Sequence, residues 1–313
     1  MGREAAGSMH SPEGPMDDRI KTVASSSRIP FLILGPVCVF LGMASAWHTT
    51  GRIPWFQLFL ALFGTFLAHV AVNSLNEYAD YKSGLDKTTQ RTPFSGGSGA
   101  LVERPEHLKA VLVTGLGALG GVVLIGLYFL IARGPWILLP GLLGVILSAA
   151  YTPWIVRRPW LCLVAPGLGF GVCVVMGTDY ALTGDFDATS LFASLLPFFL
   201  VSDLLLLNQF PDRDADRKVG RRNLVITRGS RTAARAYGLF LACAFFSVLL
   251  GVVVGALPVG ALLALIMAPV AFLAFLGTSV HHDRPDKLVP FMALNVVVNL
   301  AAPVLMGLGI LLS

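Results

Sequence analysis

The sequence is poor in charge: only 13% of its 313 residues are Asp, Glu, Lys or Arg, whereas 55% are hydrophobic. A soluble protein needs a charged surface, and this chain has too few charges to form one. The low hydrophobicity that marks disordered chains is absent too. The four cysteines lie in apolar stretches without CxxC or Cys/His spacing, which supports neither a disulfide framework nor a zinc site. The composition therefore indicates an all-α integral membrane protein with several spans.

The first 27 residues are polar and rich in Ser, Gly and Pro, and they lack the apolar core of a signal peptide. We expect residues 1–27 to form a flexible cytoplasmic tail. The remainder, residues 28–313, contains no polar insertion long enough for a second domain. We therefore expect it to be a single transmembrane domain.

Apolar stretches of about 20 residues, the length needed to span a bilayer as a helix, recur along this domain. Nine candidates are found, at roughly 29–47, 55–80, 108–132, 135–152, 161–182, 190–211, 234–254, 257–279 and 288–312.

Lysine and arginine are distributed unevenly between these spans. All but two of the 23, Arg52 and Arg133, fall in the N-terminal tail or in the connectors after even-numbered spans. Because cytoplasmic loops are enriched in basic residues, this predicts a cytoplasmic N-terminus and an outside C-terminus, in a cell inner membrane. The same pattern explains the net charge of +5 without nucleic acid as a partner.

Two connectors on the predicted cytoplasmic side share a pattern of acidic and amide residues. Each begins with Asn at the end of a span, places Asp four residues later, and adds a further Asp. The first set, after span 2, is Asn76, Asp80 and Asp86, and the second, after span 6, is Asn208, Asp212 and Asp216.

Residues four apart on a helix share a face, so the pattern predicts two polar stripes at the membrane boundary. Oxygen ligands of this kind suit Mg²⁺, which typically combines one or two carboxylates with substrate phosphates. Basic residues that suit a phosphate-bearing partner flank both stripes: Lys82, Arg91, Lys218, Arg221 and Arg222.

Both motifs resemble those of the UbiA family of intramembrane prenyltransferases, and the resemblance extends over about residues 28–313. It implies a nine-helix bundle with a central cavity. Residues 76–86 are similar to the branch that prenylates 1,4-dihydroxy-2-naphthoate in menaquinone synthesis. Residues 91–96, Arg-Thr-Pro-Phe-Ser-Gly, instead resemble the chlorophyll and 4-hydroxybenzoate branches. We therefore expect an aromatic quinone precursor, such as 1,4-dihydroxy-2-naphthoate, as the acceptor. The alternatives are 4-hydroxybenzoate, a tetrapyrrole or a lipid alcohol.

The resemblance implies transfer of a polyprenyl group from polyprenyl diphosphate, with Mg²⁺ as cofactor and diphosphate released. The carboxylates expected to hold Mg²⁺ are Asp80, Asp86, Asp212 and Asp216, with Asn76 and Asn208 as neutral ligands. The residues expected to bind diphosphate are Lys82, Arg91, Lys218 and Arg222. Tyr151 is expected, by motif match, to position the acceptor or to shield a carbocation.

An ion-coupled transporter is the main alternative, because Asp203 lies within a predicted span and could bind a coupling ion. Transporters place such sites near the membrane midplane, however, whereas these acids cluster at one surface. A CDP-alcohol phosphotransferase would need an Asp-Gly pair, and the sequence has none. The roles of four further polar residues stay open: His69, Asp203, Asn295 and Asn299.

Overall fold

The structure is a computed structural model that describes residues 15–89 and 91–313. It is helical, with no strand among those residues, which confirms the predicted all-α class. The α-helices are α1 Pro15–Ser26, α2 Leu34–Thr50, α3 Trp55–Ser83, α4 Ala100–Glu103, α5 Leu108–Arg133, α6 Leu138–Ala150, α7 Pro159–Gly167, α8 Gly177–Thr183, α9 Ala188–Lys218, α10 Leu224–Arg228, α11 Ser230–Val253, α12 Ala268–His281 and α13 Pro285–Leu311. A π-helix, Leu168–Met176, joins α7 to α8, and a 3-10 helix, Val259–Met267, leads into α12.

Seven helical segments of the described chain are long and apolar enough to cross a membrane, so the chain is an integral membrane protein. They are Trp55–Ser83, Pro105–Arg133, Pro159–Thr183, Ala188–Lys218, Ser230–Val253, Val259–His281 and Pro285–Leu311. The predicted count of nine is not confirmed.

The other two predicted spans, 29–47 and 135–152, contain shorter helices. α2 has 17 residues and reaches about 25 Å, less than the roughly 30 Å of a hydrocarbon core. It starts late because a 3-10 turn, Ile29–Phe31, occupies the beginning of the predicted span. The second helix, Pro135–Ala150, is also too short, since the chain leaves the helix at Tyr151.

Large apolar side chains cover the outside of the bundle. Trp55, Ile131 and Val253 are exposed over 73%, 88% and 81% of their surface. In water such a surface would drive association, whereas in a bilayer it contacts lipid chains.

α9 is the central helix: it is the most deeply buried of the seven and packs against α2, α7, α11 and α13. The π-helix beside it follows Pro166, which has no N–H to continue the α-helical bonding pattern. A Cβ at Gly167 would lie 2.0 Å from the carbonyl oxygen of Phe198 in α9. Only glycine therefore allows this close approach.

The predicted flexible tail is partly helical. Its first 14 residues lie outside the described part of the chain, but α1 occupies most of the remainder. Asp18 of α1 pairs with Arg104 at 2.9 Å, and Nδ2 of Asn73 donates a 3.1 Å hydrogen bond to the carbonyl of Ser27. These contacts place α1 at the same end of the bundle as the Asn/Asp motifs, and the flexibility of residues 1–27 stays a prediction.

Candidate functional site

Two cavities meet near the C-terminal ends of α3 and α9. The smaller, of about 100 Å³, is here called the acidic cavity after four aspartates that line it: Asp80, Asp86, Asp212 and Asp216. The larger, of about 440 Å³, lies between the helices and is called the apolar cavity. Three residues of the predicted site line both cavities: Asn76, Tyr151 and Asn208. The two motifs thus face one continuous space.

α3 positions the first motif because it runs to Ser83, beyond the predicted end of the span. Asn76 and Asp80 consequently lie one turn apart on one helix face. Gly84, with φ of +78°, ends the helix, and Asp86 follows in a 3-10 turn. The first motif is therefore split between a helix and a tight turn.

α9 positions the second motif. The helix continues to Lys218 even though Pro211 removes one backbone N–H from it. Asn208, Asp212 and Asp216 then occupy three successive turns of one face, directed at the acidic cavity. All three residues belong to α9, although the second and third were predicted to lie beyond the span.

Arg221 connects the two motifs. Its Nη1 donates a 3.0 Å hydrogen bond to Oδ1 of Asp216, and its Nη2 donates to Oδ1 of Asp80. Asn223 donates to the other oxygen of Asp216 at 3.0 Å. Burial lowers the pKa of Arg221, but the carboxylates of Asp80 and Asp216 outweigh it and raise that pKa overall. The guanidinium is therefore a permanent cation between the two acids.

Asp86 has no hydrogen-bonded arginine among the described residues. It is 4% exposed, and its Oδ2 has no hydrogen bond within the described residues. Burial raises its pKa to about 7, with further contributions from Glu77 and Asp80. A positive charge bound nearby would therefore stabilise the ionised form of this carboxyl.

The loop between α3 and α4 closes one side of the acidic cavity. Glu77 accepts hydrogen bonds from the backbone N–H of Ser98, at 3.2 Å, and from its hydroxyl. Within the loop, the N–H of Ser95 donates to the Thr92 hydroxyl at 2.9 Å. Gly97 lines the cavity with φ of +75°, and a Cβ there would lie 3.0 Å from Oδ1 of Asp86.

The donor set fits a hard divalent cation. Buried oxygens of Asp86 and Asp212 have no hydrogen-bond partner within the described chain. Asn76 donates through Nδ2 to the Thr152 hydroxyl at 2.8 Å, which leaves its Oδ1 as a possible ligand. Among the described residues no three His, Cys, Asp or Glu side chains already form a metal-binding group. A cation would therefore draw the carboxylates together, with Arg221 giving up part of its contact.

The four residues predicted to bind diphosphate lie outside the described lining of the acidic cavity. All four are exposed: Lys82, Arg91, Lys218 and Arg222. The basic residues that do line it are Arg28 and Arg221. A role in diphosphate binding stays a prediction both for these four residues and for the two arginines.

Arg28 was missed because its position depends on α1 and not on a motif. It has φ of +51°, the only positive value among the described non-glycine residues, and it lines both cavities. Backbone strain of this kind is retained where a side chain must point in a particular direction. Arg221 was named from the sequence among the basic residues that flank the second stripe, but it was not assigned to the diphosphate site.

The four residues of open role are all buried. His69 and Asn299 line the apolar cavity. Asn299 donates to the backbone oxygen of Asn295 at 2.9 Å, within α13. Asp203 is fully buried in α9 and is outside the described lining of both cavities.

Comparison with known proteins agrees with this geometry. Residues 36–297 match the UbiA prenyltransferase family. The chain is 27% identical over 259 residues to the 1,4-dihydroxy-2-naphthoate octaprenyltransferase of Bacillus subtilis (strain 168). The aligned residues cover 82% of each of the two chains.

Two solved structures share the fold. One is a digeranylgeranylglyceryl phosphate synthase, with TM-score 0.67, 13% identity and coverage of 95% of this chain and 100% of that one. The other is a UbiA homolog from Archaeoglobus fulgidus bound to GPP and Mg²⁺, with TM-score 0.61, 14% identity and coverage of 93% and 100%. The match over most of the sequence shows that the chain is an intramembrane prenyltransferase and belongs to the UbiA prenyltransferase family.

Proposed function

We propose that this protein transfers a polyprenyl group from polyprenyl diphosphate to an aromatic quinone precursor, with Mg²⁺ as cofactor. The observation that carries the proposal is that aspartates of α3 and α9 line one cavity that joins a larger apolar one. A polar cavity continuous with an apolar cavity suits a substrate with a charged head and a hydrocarbon tail.

The acidic cavity is the proposed site of the diphosphate. Mg²⁺, held by carboxylates of both motifs, would neutralise the charge that develops on the departing diphosphate. Arg28 and Arg221 add fixed positive charge at the same place. These residues stabilise the leaving group as the allylic C–O bond breaks and the diphosphate departs with the bonding electrons.

The junction of the two cavities is the proposed site of chemistry. Asn76, Tyr151 and Asn208 line both spaces there. The phenol ring of Tyr151 can stabilise positive charge on the allylic carbon through its π face. The apolar walls keep water from that carbon, so that a carbon of the acceptor ring forms the new C–C bond with it. The ring then releases a proton, or its carboxyl group as CO2, and becomes aromatic again.

The acceptor assignment rests on similarity. The Bacillus subtilis relative is named for 1,4-dihydroxy-2-naphthoate, and residues 76–86 resemble the same branch. We therefore propose 1,4-dihydroxy-2-naphthoate as acceptor. Family membership favours this enzyme over the ion-coupled transporter.

The proposed orientation places the acidic cavity at the cytoplasmic face of the cell inner membrane. All but two of the Lys and Arg residues fall in the N-terminal segment or in the connectors after even-numbered predicted spans, which include both motif-bearing connectors, as expected for cytoplasmic loops. This orientation gives the N-terminus a cytoplasmic and the C-terminus an outside location.

The test is an acceptor panel. The purified protein in lipid nanodiscs is given radiolabelled polyprenyl diphosphate, Mg²⁺ and one of three acceptors: 1,4-dihydroxy-2-naphthoate, 4-hydroxybenzoate or a glycerol-based lipid alcohol. We expect a prenylated product from the naphthoate, and no product when EDTA removes the metal. Product with the lipid alcohol alone would contradict the proposed acceptor class.

A further inference from the structure

Three polar side chains of the apolar cavity contain buried atoms that lack a hydrogen-bond partner among the described residues. One of them, Arg28, also lines the acidic cavity, where it can bind the diphosphate, and the other two line the apolar cavity alone. His69 of α3 is 9% exposed and its Nδ1 is unpartnered. Asn299 of α13 is 1% exposed and its Oδ1 is unpartnered. Buried polar atoms without partners destabilise a fold, so such a pair in one cavity indicates a ligand that supplies the missing bonds.

The polyprenyl chain cannot be that ligand, because a hydrocarbon has no hydrogen-bonding atom. The diphosphate is also excluded, since it is placed with the carboxylates in the acidic cavity, whose lining contains neither His69 nor Asn299. The acceptor is the remaining substrate of the proposed reaction. Its polar substituents can satisfy both side chains.

The geometry around His69 suits a flat ring. Its imidazole packs edge-on against Phe170 of the π-helix, with ring centroids 5.4 Å apart and an interplanar angle of 75°. His69 precedes Asn76 by two helical turns, so it lies on a similar face and about 10 Å deeper along α3. A ring system held at His69 would therefore extend toward the cavity junction, where Asn76 lies.

We propose that His69 binds the aromatic acceptor by hydrogen-bonding a ring hydroxyl, with Oδ1 of Asn299 accepting from a second polar group. A neutral imidazole has one N–H and one lone pair, so it can serve a phenol as donor or as acceptor. This inference rests on the proposed function, because it assigns the acceptor of that reaction to one wall of the cavity. His69 binds and orients the acceptor, and it forms no covalent bond with either substrate.

Two substitutions of His69 separate hydrogen bonding from packing. His69→Leu keeps an apolar volume but cannot form a hydrogen bond, whereas His69→Gln keeps a donor and an acceptor. The control is Ser247→Ala, which removes a buried hydroxyl of α11 that lies outside the described lining of both cavities. That hydroxyl donates to the carbonyl of Ala244 at 2.7 Å, within the same helix.

The experiment uses the full-length protein in nanodiscs with geranylgeranyl diphosphate, Mg²⁺ and 1,4-dihydroxy-2-naphthoate as probes. We expect His69→Leu to raise the KM for the naphthoate about tenfold, the effect of one lost hydrogen bond, and to leave the KM for the diphosphate unchanged. His69→Gln should restore most of the loss, and Ser247→Ala should match the unmodified protein. The affinity of each variant for the naphthoate at equilibrium, followed by the fluorescence of the naphthoate, should rank the variants in the same order as the KM values.

Two results would overturn the assignment: an unchanged naphthoate KM in His69→Leu, or an equal rise in both KM values, which would indicate a structural role. Failure of the proposed function is distinguishable from these results. An unmodified protein that binds the naphthoate without prenylating it would contradict the function, while weaker binding by His69→Leu would still support the acceptor site. An unmodified protein that does not bind the naphthoate would contradict both.

Discussion

Arg221 donates a 3.0 Å hydrogen bond to Asp216, and the other arm of the same guanidinium reaches Asp80 on a different helix. A cation of the protein itself thus occupies the space between the two acidic motifs. Removing one partner of a buried ion pair usually costs about 3–5 kcal/mol, because the remaining charge stays unpaired. Arg221 therefore both stabilises the metal-free site and competes with any ion that binds there.

The first prediction concerns this arginine. Arg221→Gln should lower the stability of the metal-free protein, because Asp80 and Asp216 would repel each other. Added Mg²⁺ should then raise the midpoint of thermal unfolding more in the variant than in the unmodified protein. The measurement is thermal unfolding in nanodiscs with and without Mg²⁺. Arg213→Gln is the control, since Arg213 pairs with the exposed Asp214 at 3.2 Å. An equal response of both variants to Mg²⁺ would contradict the competition.

The second prediction concerns the carboxylates. Asp80→Ala and Asp212→Ala should each reduce Mg²⁺-dependent prenyl transfer about a hundredfold or more, because charge stabilisation of the leaving group is lost. Activity at saturating substrate is the measurement, with helical content as the check on folding. Asp214→Ala is the control because its side chain is exposed and lies outside the described lining of the acidic cavity. Full activity in well-folded Asp80→Ala and Asp212→Ala would remove the proposed function.

The third prediction compares two sets of basic residues. Arg28→Gln should raise the KM for polyprenyl diphosphate about tenfold or more, since a charged hydrogen bond to phosphate is lost. Lys82→Gln and Lys218→Gln should have much smaller effects, because both lysines are exposed outside the cavity. Steady-state kinetics with varied diphosphate tests the order. The reverse order would show that the residues chosen from sequence move onto the substrate when it binds.

The fourth prediction is a pH dependence of the metal-free protein. Burial raises the pKa of Asp86 from 3.8 to about 7, so the folded state holds this proton more tightly than the unfolded state. The contribution of Asp86 to stability is therefore fully present below pH 3.8 and is lost as the pH rises toward 7. Asp86→Asn should remove this part of the dependence. Thermal unfolding of both proteins in EDTA between pH 4 and 8 is the test, and parallel curves would contradict it.

The all-α membrane class and the polar helix faces of the two motifs could be predicted from the sequence, because both depend on local patterns. Hydrophobic stretches indicate membrane helices, and Asn and Asp at four-residue spacing indicate a polar helix face. Both sets of acids line one cavity, as these patterns suggest.

Other features depend on tertiary contacts and have little local signal. α9 continues through Pro211 to Lys218 because it is packed on several sides by other helices. Arg28 reaches the cavities because α1 is held against the bundle, and α1 was predicted to be flexible. The helix count depends on where two short helices begin and end, and hydropathy locates such ends only approximately.

The last prediction uses two glycines with the same backbone conformation. Gly97 has φ of +75° and Gly255 has φ of +74°, so alanine strains the backbone similarly at both positions. Their surroundings differ: a Cβ at Gly97 would lie 3.0 Å from Asp86, whereas a Cβ at Gly255 would meet no atom within 4 Å. The shared backbone conformation should cost each variant about 1–2 kcal/mol of stability. Only Gly97→Ala should also weaken Mg²⁺ binding, measured by titration calorimetry, because its methyl group would displace the Asp86 carboxylate. Equal Mg²⁺ affinity in the two variants would show that Asp86 is not held by this loop.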